Sequence, residues 1–328
     1  MLLGEDRVWE LARAFTTSRV LLTAVELGVF AVLGDESMTS EAVASKLGTD
    51  ARATDRLMNS LVVLNFLSKS GDRFSNAPDV REFLVPGNPS YIGGALMHIV
   101  NLWNSWSTLT DAVKAGTSVI QRDERGAADF TVPFIAAMDA IASGQATELV
   151  ELIDLEGVQR VLDVGGGSGA YSIEFCRAKP GLEAVVFDTP IVVPLTKGYI
   201  EKAGLTGRIT TTTGDFNKDE LGRDFDLVFL SQVLHSNNPE ENIELFKRSW
   251  RALKPGGRVV IQEFVVDENR TSPPMAVLFA LNMLVATRAG DTYTEDEIKS
   301  WLSNAGFGKI SRIDPKDTNS TLIIANKE

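Results

Sequence analysis

Four acids and one histidine fall at or near the ends of apolar runs in the second half of this 328-residue chain. Asp163 lies in Val161-Leu162-Asp163-Val164, directly before Gly165-Gly166-Gly167-Ser168-Gly169. Asp188 closes Ala184-Val185-Val186-Phe187, and Asp215 follows Gly214 after the β-branched run Ile209 to Thr213. His235 comes after Asp226 to Leu230 and the short link Ser231-Gln232-Val233-Leu234, and Glu263 closes Val260-Ile261-Gln262. Carboxylates at such ends can hold a cationic amine or sugar hydroxyls, and an imidazole can move a proton near neutral pH. The glycines are spaced Gly-x-Gly-x-Gly (Gly165, Gly167, Gly169) rather than Gly-x-Gly-x-x-Gly, which separates this loop from a dinucleotide fingerprint.

The elements that must position these groups follow from the same rows. Short apolar strands alternate with helix-like stretches such as Ala170 to Lys179, which predicts a mostly parallel sheet in an α/β fold. In such a sheet ligands bind at the carboxyl ends of the strands, where all five groups lie. The glycine turn lets the backbone pass close under a ligand and exposes amides near a helix N-terminus. Asp163 beside that turn suits the amine of S-adenosylmethionine (AdoMet). Asp188, 25 residues on, can accept both ribose hydroxyls, and Asp215 can accept from the adenine amine while Phe216 packs on the ring. Past His235, Asn238 is a helix cap, Pro239 takes the first helical position, and Glu240 and Glu241 complement the dipole. From Gln159 onward the ordered series resembles the class I AdoMet-dependent methyltransferases, which carry a Rossmann-like, mostly parallel seven-stranded sheet.

The first half reads differently. Apolar residues recur at helical spacing from Arg7 to Leu33; Thr39-Ser40-Glu41 opens a helix to Leu47; Asp50 can cap a second, Ala51 to Phe66; and Leu67 to Ser75 reads as a hairpin. Helix, turn, helix and hairpin make a winged helix, a pattern that invites a DNA-binding role. Charge opposes it, because residues 1–100 hold nine basic against twelve acidic side chains. Dimerisation is the better use of this segment. A winged-helix module, a helical connector and an AdoMet fold with a histidine after strand four resemble the small-molecule O-methyltransferases, such as caffeic acid O-methyltransferase, acetylserotonin methyltransferase and their bacterial relatives. The expected organisation is a winged-helix dimerisation domain over 1–90, a connector over 91–157 and the AdoMet-binding domain over 158–328.

That resemblance implies a homodimer, and it assigns His235 as the general base oriented by Glu263. It implies that Asp163, Gly165, Gly167, Gly169, Asp188, Asp215, Phe216 and Ser231 hold the cofactor, and that Trp106, Met138, Asn282 and Met283 line the acceptor pocket. The chain departs from the family where the usual His-Asp-Trp becomes His235-Ser236-Asn237. A second acid expected near the histidine falls at Thr292, which cannot hold an imidazolium, while Asp291 is its neighbour. His98, in the apolar run Ile92 to Val100, reads as a buried, hydrogen-bonded histidine, with a substrate-facing role as the alternative.

Composition bounds the rest. A formal charge of −12 argues against nucleic acid as a partner, and the one cysteine, Cys176, allows no intrachain disulfide. No acid and histidine cluster suggests a catalytic metal. Acids at Glu5, Asp6 and Glu10 argue against a signal peptide, and no stretch approaches a membrane span, so a cytoplasmic protein is expected. The leading reading is O-methylation of a small, mostly apolar, aromatic hydroxyl compound. Two others keep the fold: a nitrogen or carbon acceptor (or a non-methylating reaction), and a dimeric regulator that senses AdoMet. Asp188→Ala should weaken S-adenosylhomocysteine binding by about 1–3 kcal/mol in a calorimetric titration. Unchanged affinity would remove Asp188 from the cofactor site.

Overall fold

The computed structural model describes residues 4–88, 90–120, 124–316 and 318–328, with the backbone alone for 124–130. The chain divides into two compact units, Met1–Trp103 and Asn104–Glu328, with the division inside the helix Gly93–Trp106.

In the first unit, the helical periodicity of Arg7 to Leu33 resolves into two helices, Glu5–Leu27 and Val29–Leu33. The break is at Gly28, whose φ of 78° lets its amide reach back to the carbonyls of Ala24 and Val25. The helices Ser40–Leu47 and Ala51–Val63 follow, capped by the side chains of Thr39 and Asp50. The second ends three residues before Phe66, where Asn65 enters the left-handed region at φ 63°. Strands Leu67–Ser70 and Arg73–Asn76 form the hairpin, and Met38–Thr39 adds a third strand beside Arg73–Asn76. Phe30, Leu33, Val43, Met58, Leu61 and Phe74 form the core. The first turns of the long helix stand outside it: Val8, Trp9, Leu11 and Phe15 are each between 51% and 59% exposed. His98 is half-buried rather than buried, since its turn of the helix Gly93–Trp106 carries exposed Ile99 beside buried Val100.

The second unit is built on seven strands: β1 (Arg160–Val164), β2 (Glu183–Asp188), β3 (Ile209–Thr213), β4 (Phe225–Ser231), β5 (Leu253–Glu263), β6 (Phe307–Ile313) and β7 (Thr321–Lys327). Their spatial order is β6-β7-β5-β4-β1-β2-β3. β1 to β5 run parallel, while β7 is antiparallel to both β5 and β6. Two cores explain the unbroken apolar strands. Leu162, Val164, Phe187, Val228, Leu230 and Ile261 face one, with Leu245 and Phe246 of the helix Pro239–Ala252. Val161, Val186, Leu227, Phe229 and Val260 face the other, with Phe175 and Cys176 of the helix Ala170–Ala178. Both faces are covered, so both parities of residue must be apolar.

The stretch from Arg258 to Val266 does not form one strand. β5 stops at Glu263, and Val265–Val266 pairs in parallel with Tyr293–Thr294 in a separate ribbon. The interruption is Phe264, whose amide donates to the Glu263 carboxylate instead of continuing a ladder. Between the two ribbon strands lies the helix Pro274–Ala286, which carries part of the site. Among the described residues no helix is long and apolar enough to cross a membrane.

Candidate active site

On the nucleotide side, β1 turns into the helix Ala170–Ala178 through three left-handed glycines, Gly165, Gly167 and Gly169, at φ 67°, 57° and 80°. Gly166 between them has no room for a side chain, because a Cβ would stand 2.6 Å from the Asp163 carboxyl carbon. The loop therefore lies directly on Asp163. That carboxyl is buried; its Oδ2 accepts from the Ser172 hydroxyl at 2.7 Å, and its Oδ1 makes no hydrogen bond among the described residues. Asp188 holds the loop from the next strand, with Oδ2 accepting from the Gly167 amide at 2.8 Å and Oδ1 from the Thr189 amide at 2.7 Å. Each oxygen retains a lone pair for a further donor. Phe216 flanks the same loop, its ring 3.6 Å from where a Gly165 Cβ would be.

Asp215 is more exposed and already engaged. Its Oδ1 accepts from the Asn217 amide, and its Oδ2 pairs with Lys218 at 2.7 Å, which holds the carboxyl below its ordinary range. Ser231, at the end of β4, donates to Gln262 Oε1 at 2.7 Å, and Gln262 in turn donates to Ser320. Tyr171 joins this buried set, hydrogen-bonded by Gln145, and burial pushes its hydroxyl up to about 12, so it is neutral. The sequence pattern does not single out Asp139. On the helix Glu124–Glu151 it hydrogen-bonds Ser168 of the loop, and burial raises its carboxyl. Three acids, Asp163, Asp188 and Asp139, thus gather around one glycine loop. With an unsatisfied buried oxygen among them, that donor-poor, acid-rich cradle fits an ammonium-bearing ligand with ribose hydroxyls and would repel a pyrophosphate.

On the acceptor side, the chain leaves β4 through Gln232, a non-glycine residue at φ 55°, and forms the single turn Leu234–Ser236. The turn is secured from several directions. Asn242 Nδ2 donates to the Leu234 carbonyl, the Tyr293 hydroxyl donates to the Asn237 carbonyl, and Asn238 with Glu241 forms a capping box on the next helix. Gly290 presses against it so closely that a Cβ would stand 2.2 Å from the His235 carbonyl oxygen. His235 Nδ1 meets Glu263 Oε1 at 2.8 Å, with the histidine side chain 12% exposed and the glutamate 0% exposed. A carboxylate accepts, so Nδ1 carries a hydrogen, and in the neutral ring the lone pair is then on Nε2. The Phe279 ring meets the imidazole edge to face at 4.9 Å, and Phe264 meets Phe279 at 4.8 Å.

The structure thus joins His235 to Glu263, and Asp163, Asp188 and Phe216 to the loop glycines. It also joins two expected pocket residues far apart in the chain: Trp106 Nε1 donates to Asn282 Oδ1 at 3.0 Å. Met283 is buried on the Asn282 helix, and Met138 is half-buried beside Asp139. Asp291 faces Arg270, 3.8 Å away, and its Oδ1 accepts from the Thr292 amide, while the partner of the imidazole is Glu263. Thr292 is buried and gives its carbonyl to Arg270. Acid and glycine motifs do not reveal the aromatic pair beside the imidazole: Phe264 follows the end of β5, and Phe279 lies within the helix Pro274–Ala286. Among the described residues no cluster of three or more histidine, cysteine or acidic side chains could hold a metal ion.

Asp163 yields a pH test. Burial, with the Asp188 charge adding to it and the Ser172 hydrogen bond opposing, lifts its carboxyl from 3.8 to about 7. The folded protein therefore keeps a proton there that the unfolded chain releases, so this group makes the fold less stable as pH rises through that window. Asp163→Asn should lose this slope and gain stability over the parent between those pH values, by on the order of 4 kcal/mol at the alkaline end. Urea denaturation of both proteins at stepped pH measures it, and a pH-independent difference would contradict the shift.

Comparison with known proteins accords with this geometry. The O-methyltransferase domain model matches residues 106–308, and the O-methyltransferase dimerisation domain model matches residues 9–86. A 3-hydroxy-5-methyl-1-naphthoate 3-O-methyltransferase of Streptomyces sahachiroi is 33% identical over 93% of this chain and 90% of its own length. An N,N-dimethyltransferase of Streptomyces rimosus is 30% identical, covering 91% and 89%. The crystal structure of human N-acetylserotonin methyltransferase in complex with SAM superposes with a TM-score of 0.86 at 28% identity, covering 100% of this chain and 99% of that one. The chain belongs to the class I AdoMet-dependent O-methyltransferases, with the family's dimerisation domain preceding its catalytic domain.

Proposed function

We propose that this enzyme methylates a hydroxyl of a small, mostly apolar, aromatic acceptor, with His235 as general base. The observation that carries this reading is the Nδ1 contact of His235 with buried Glu263 at 2.8 Å, which leaves Nε2 as the free base beside the aromatic Phe279. AdoMet, when bound, supplies an electrophilic methyl group on sulfonium sulfur. Asp163, the loop glycines, Asp188, Asp215, Phe216 and Ser231 hold it, and Trp106, Met138, Asn282 and Met283 border the acceptor. His235 Nε2 would take the proton of the attacking hydroxyl, and Glu263 would stabilise the imidazolium that results. Alignment of the two reactants supplies much of the rate.

His235→Gln should lower kcat by roughly 10²–10⁴ for a hydroxyl acceptor while S-adenosylhomocysteine affinity stays near the parental value. Glu263→Gln should cost less, because it orients the ring without taking the proton. The relative named as an N,N-dimethyltransferase favours a second reading, an amine acceptor. A neutral amine needs no base to attack, so parental turnover in His235→Gln would select that reading.

We also infer a homodimer formed through residues 9–86. The matched dimerisation domain supports it, and so do Val8, Trp9, Leu11 and Phe15, more apolar surface in one stretch than a helix in water leaves uncovered. Light scattering should give twice the chain mass, and deletion of residues 1–33 should give insoluble or monomeric, inactive protein. A fully active soluble monomer lacking that segment would contradict the assembly.

A further inference from the structure

A chain of three carboxamides joins the cofactor side of the site to the turn that carries His235. Asn242 Nδ2 donates to the Leu234 carbonyl at 3.0 Å, Asn237 Nδ2 to Asn242 Oδ1 at 3.1 Å, and Asn217 Nδ2 to Asn237 Oδ1 at 2.8 Å. The direction of all three bonds is fixed from one end. A backbone carbonyl can only accept, so Asn242 must turn its NH2 group to Leu234. That leaves the Asn242 oxygen for Asn237 and, in turn, the Asn237 oxygen for Asn217. Asn237 and Asn242 are both buried, so water is no alternative partner for either. An indole at position 237, as in the usual His-Asp-Trp, has one donor and no acceptor and could not pass the bond on.

The other end of the chain belongs to the cofactor loop. Asn217 follows Asp215 and Phe216, and its backbone amide donates to Asp215 Oδ1 at 3.0 Å. Its own Oδ1 is buried and makes no hydrogen bond among the described residues. A buried acceptor without a donor costs stability, so stability alone does not account for an asparagine here. Apolar contact also joins the two segments, since a Cβ on Gly165 would stand 3.1 Å from Val233 and 3.6 Å from Phe216. Apolar contact is non-directional, whereas a hydrogen-bonded chain fixes orientation.

We propose that Asn217 and Asn237 are positioning residues, which lock the turn bearing His235 to the loop bearing Asp215 and Phe216, so that base and cofactor keep one relative placement. The proposal rests on the reading of His235 as general base, whose alignment with the reacting groups governs the rate.

The test reads each end of the chain from the other, on the full-length protein. The sequence holds two histidines, so in nitrogen-labelled histidine NMR spectra His98→Gln identifies the His235 signals. Asn217→Leu exchanges one unpaired buried acceptor, its own Oδ1, for another, Asn237 Oδ1, so the melting temperature should stay near the parental value. Its His235 Nδ1 proton should nevertheless exchange with water about tenfold faster or more, because the turn opens more often. Lys218→Ala removes the exposed partner of Asp215 on the same loop and should leave that rate unchanged. In the other direction, Asn237→Leu lies outside the glycine and acid motifs, yet it should weaken S-adenosylhomocysteine binding about fivefold or more in a calorimetric titration. Should this buried substitution prevent folding, Asn217→Leu decides alone. The proposal would be overturned by parental Nδ1 exchange in Asn217→Leu, by acceleration matched by a general loss of stability, by equal acceleration in Lys218→Ala, or by parental affinity in folded Asn237→Leu. None of these results bears on His235 as the base, which turnover of His235→Gln tests separately.

Discussion

Glu263 has no exposed surface, and a carboxylate so placed has to be satisfied entirely from within the protein. Three N–H groups do this: His235 Nδ1, the His235 amide and the Phe264 amide. Much of the acceptor side follows from that requirement. The turn after β4 must bring both the backbone and the ring of residue 235 to the end of β5. β5 must stop at 263 so that the Phe264 amide is free to donate inward. The same break redirects the chain into the ribbon with Tyr293–Thr294, with the helix that carries Phe279 and Asn282 between its two strands. The imidazole tautomer is a by-product of satisfying a buried charge.

The nucleotide side meets a similar constraint with different parts. Asp163 and Asp188 lie close enough for the charge of one to raise the carboxyl of the other, and both are buried. Asp188 is compensated by two backbone amides, one of them from the glycine loop itself. Asp163 has one hydroxyl and is left with an unsatisfied oxygen. A site that stores uncompensated acceptor capacity is held in readiness for a cation, and a bound ammonium would draw the Asp163 proton off. The two halves meet at the ends of β4 and β5, where Ser231 hydrogen-bonds Gln262, the residue beside Glu263.

Much of this was legible in the residues. The glycine spacing, the acids at strand ends and the Asn238-Pro239-Glu240-Glu241 helix start are local signals, because turns and caps depend on neighbours a few residues apart. Helix limits were less legible. Nothing in the apolar periodicity of Arg7 to Leu33 marks the break, which needs the left-handed geometry of Gly28. The break after Glu263 has a physical cause outside the apolar pattern. Val259 to Val266 is apolar throughout save Gln262 and Glu263, and only the carboxylate's demand for a donor at Phe264 cuts the strand.

What the sequence by itself determined is therefore the alternation of buried strands and helices, the glycine loop, and the types of group available at the strand ends. These follow from periodicity, backbone sterics and side-chain chemistry within short windows. The tertiary structure alone decided which of those groups meet. It gave Asp163 a carboxyl that holds its proton and Asp215 one that does not. It set Asp291 against Arg270. It also set the polarity of Asn282 by bringing Trp106 against it from 176 residues away. Charge state and hydrogen-bond direction depend on burial and on partners distant in the chain, and spacing along a sequence carries neither.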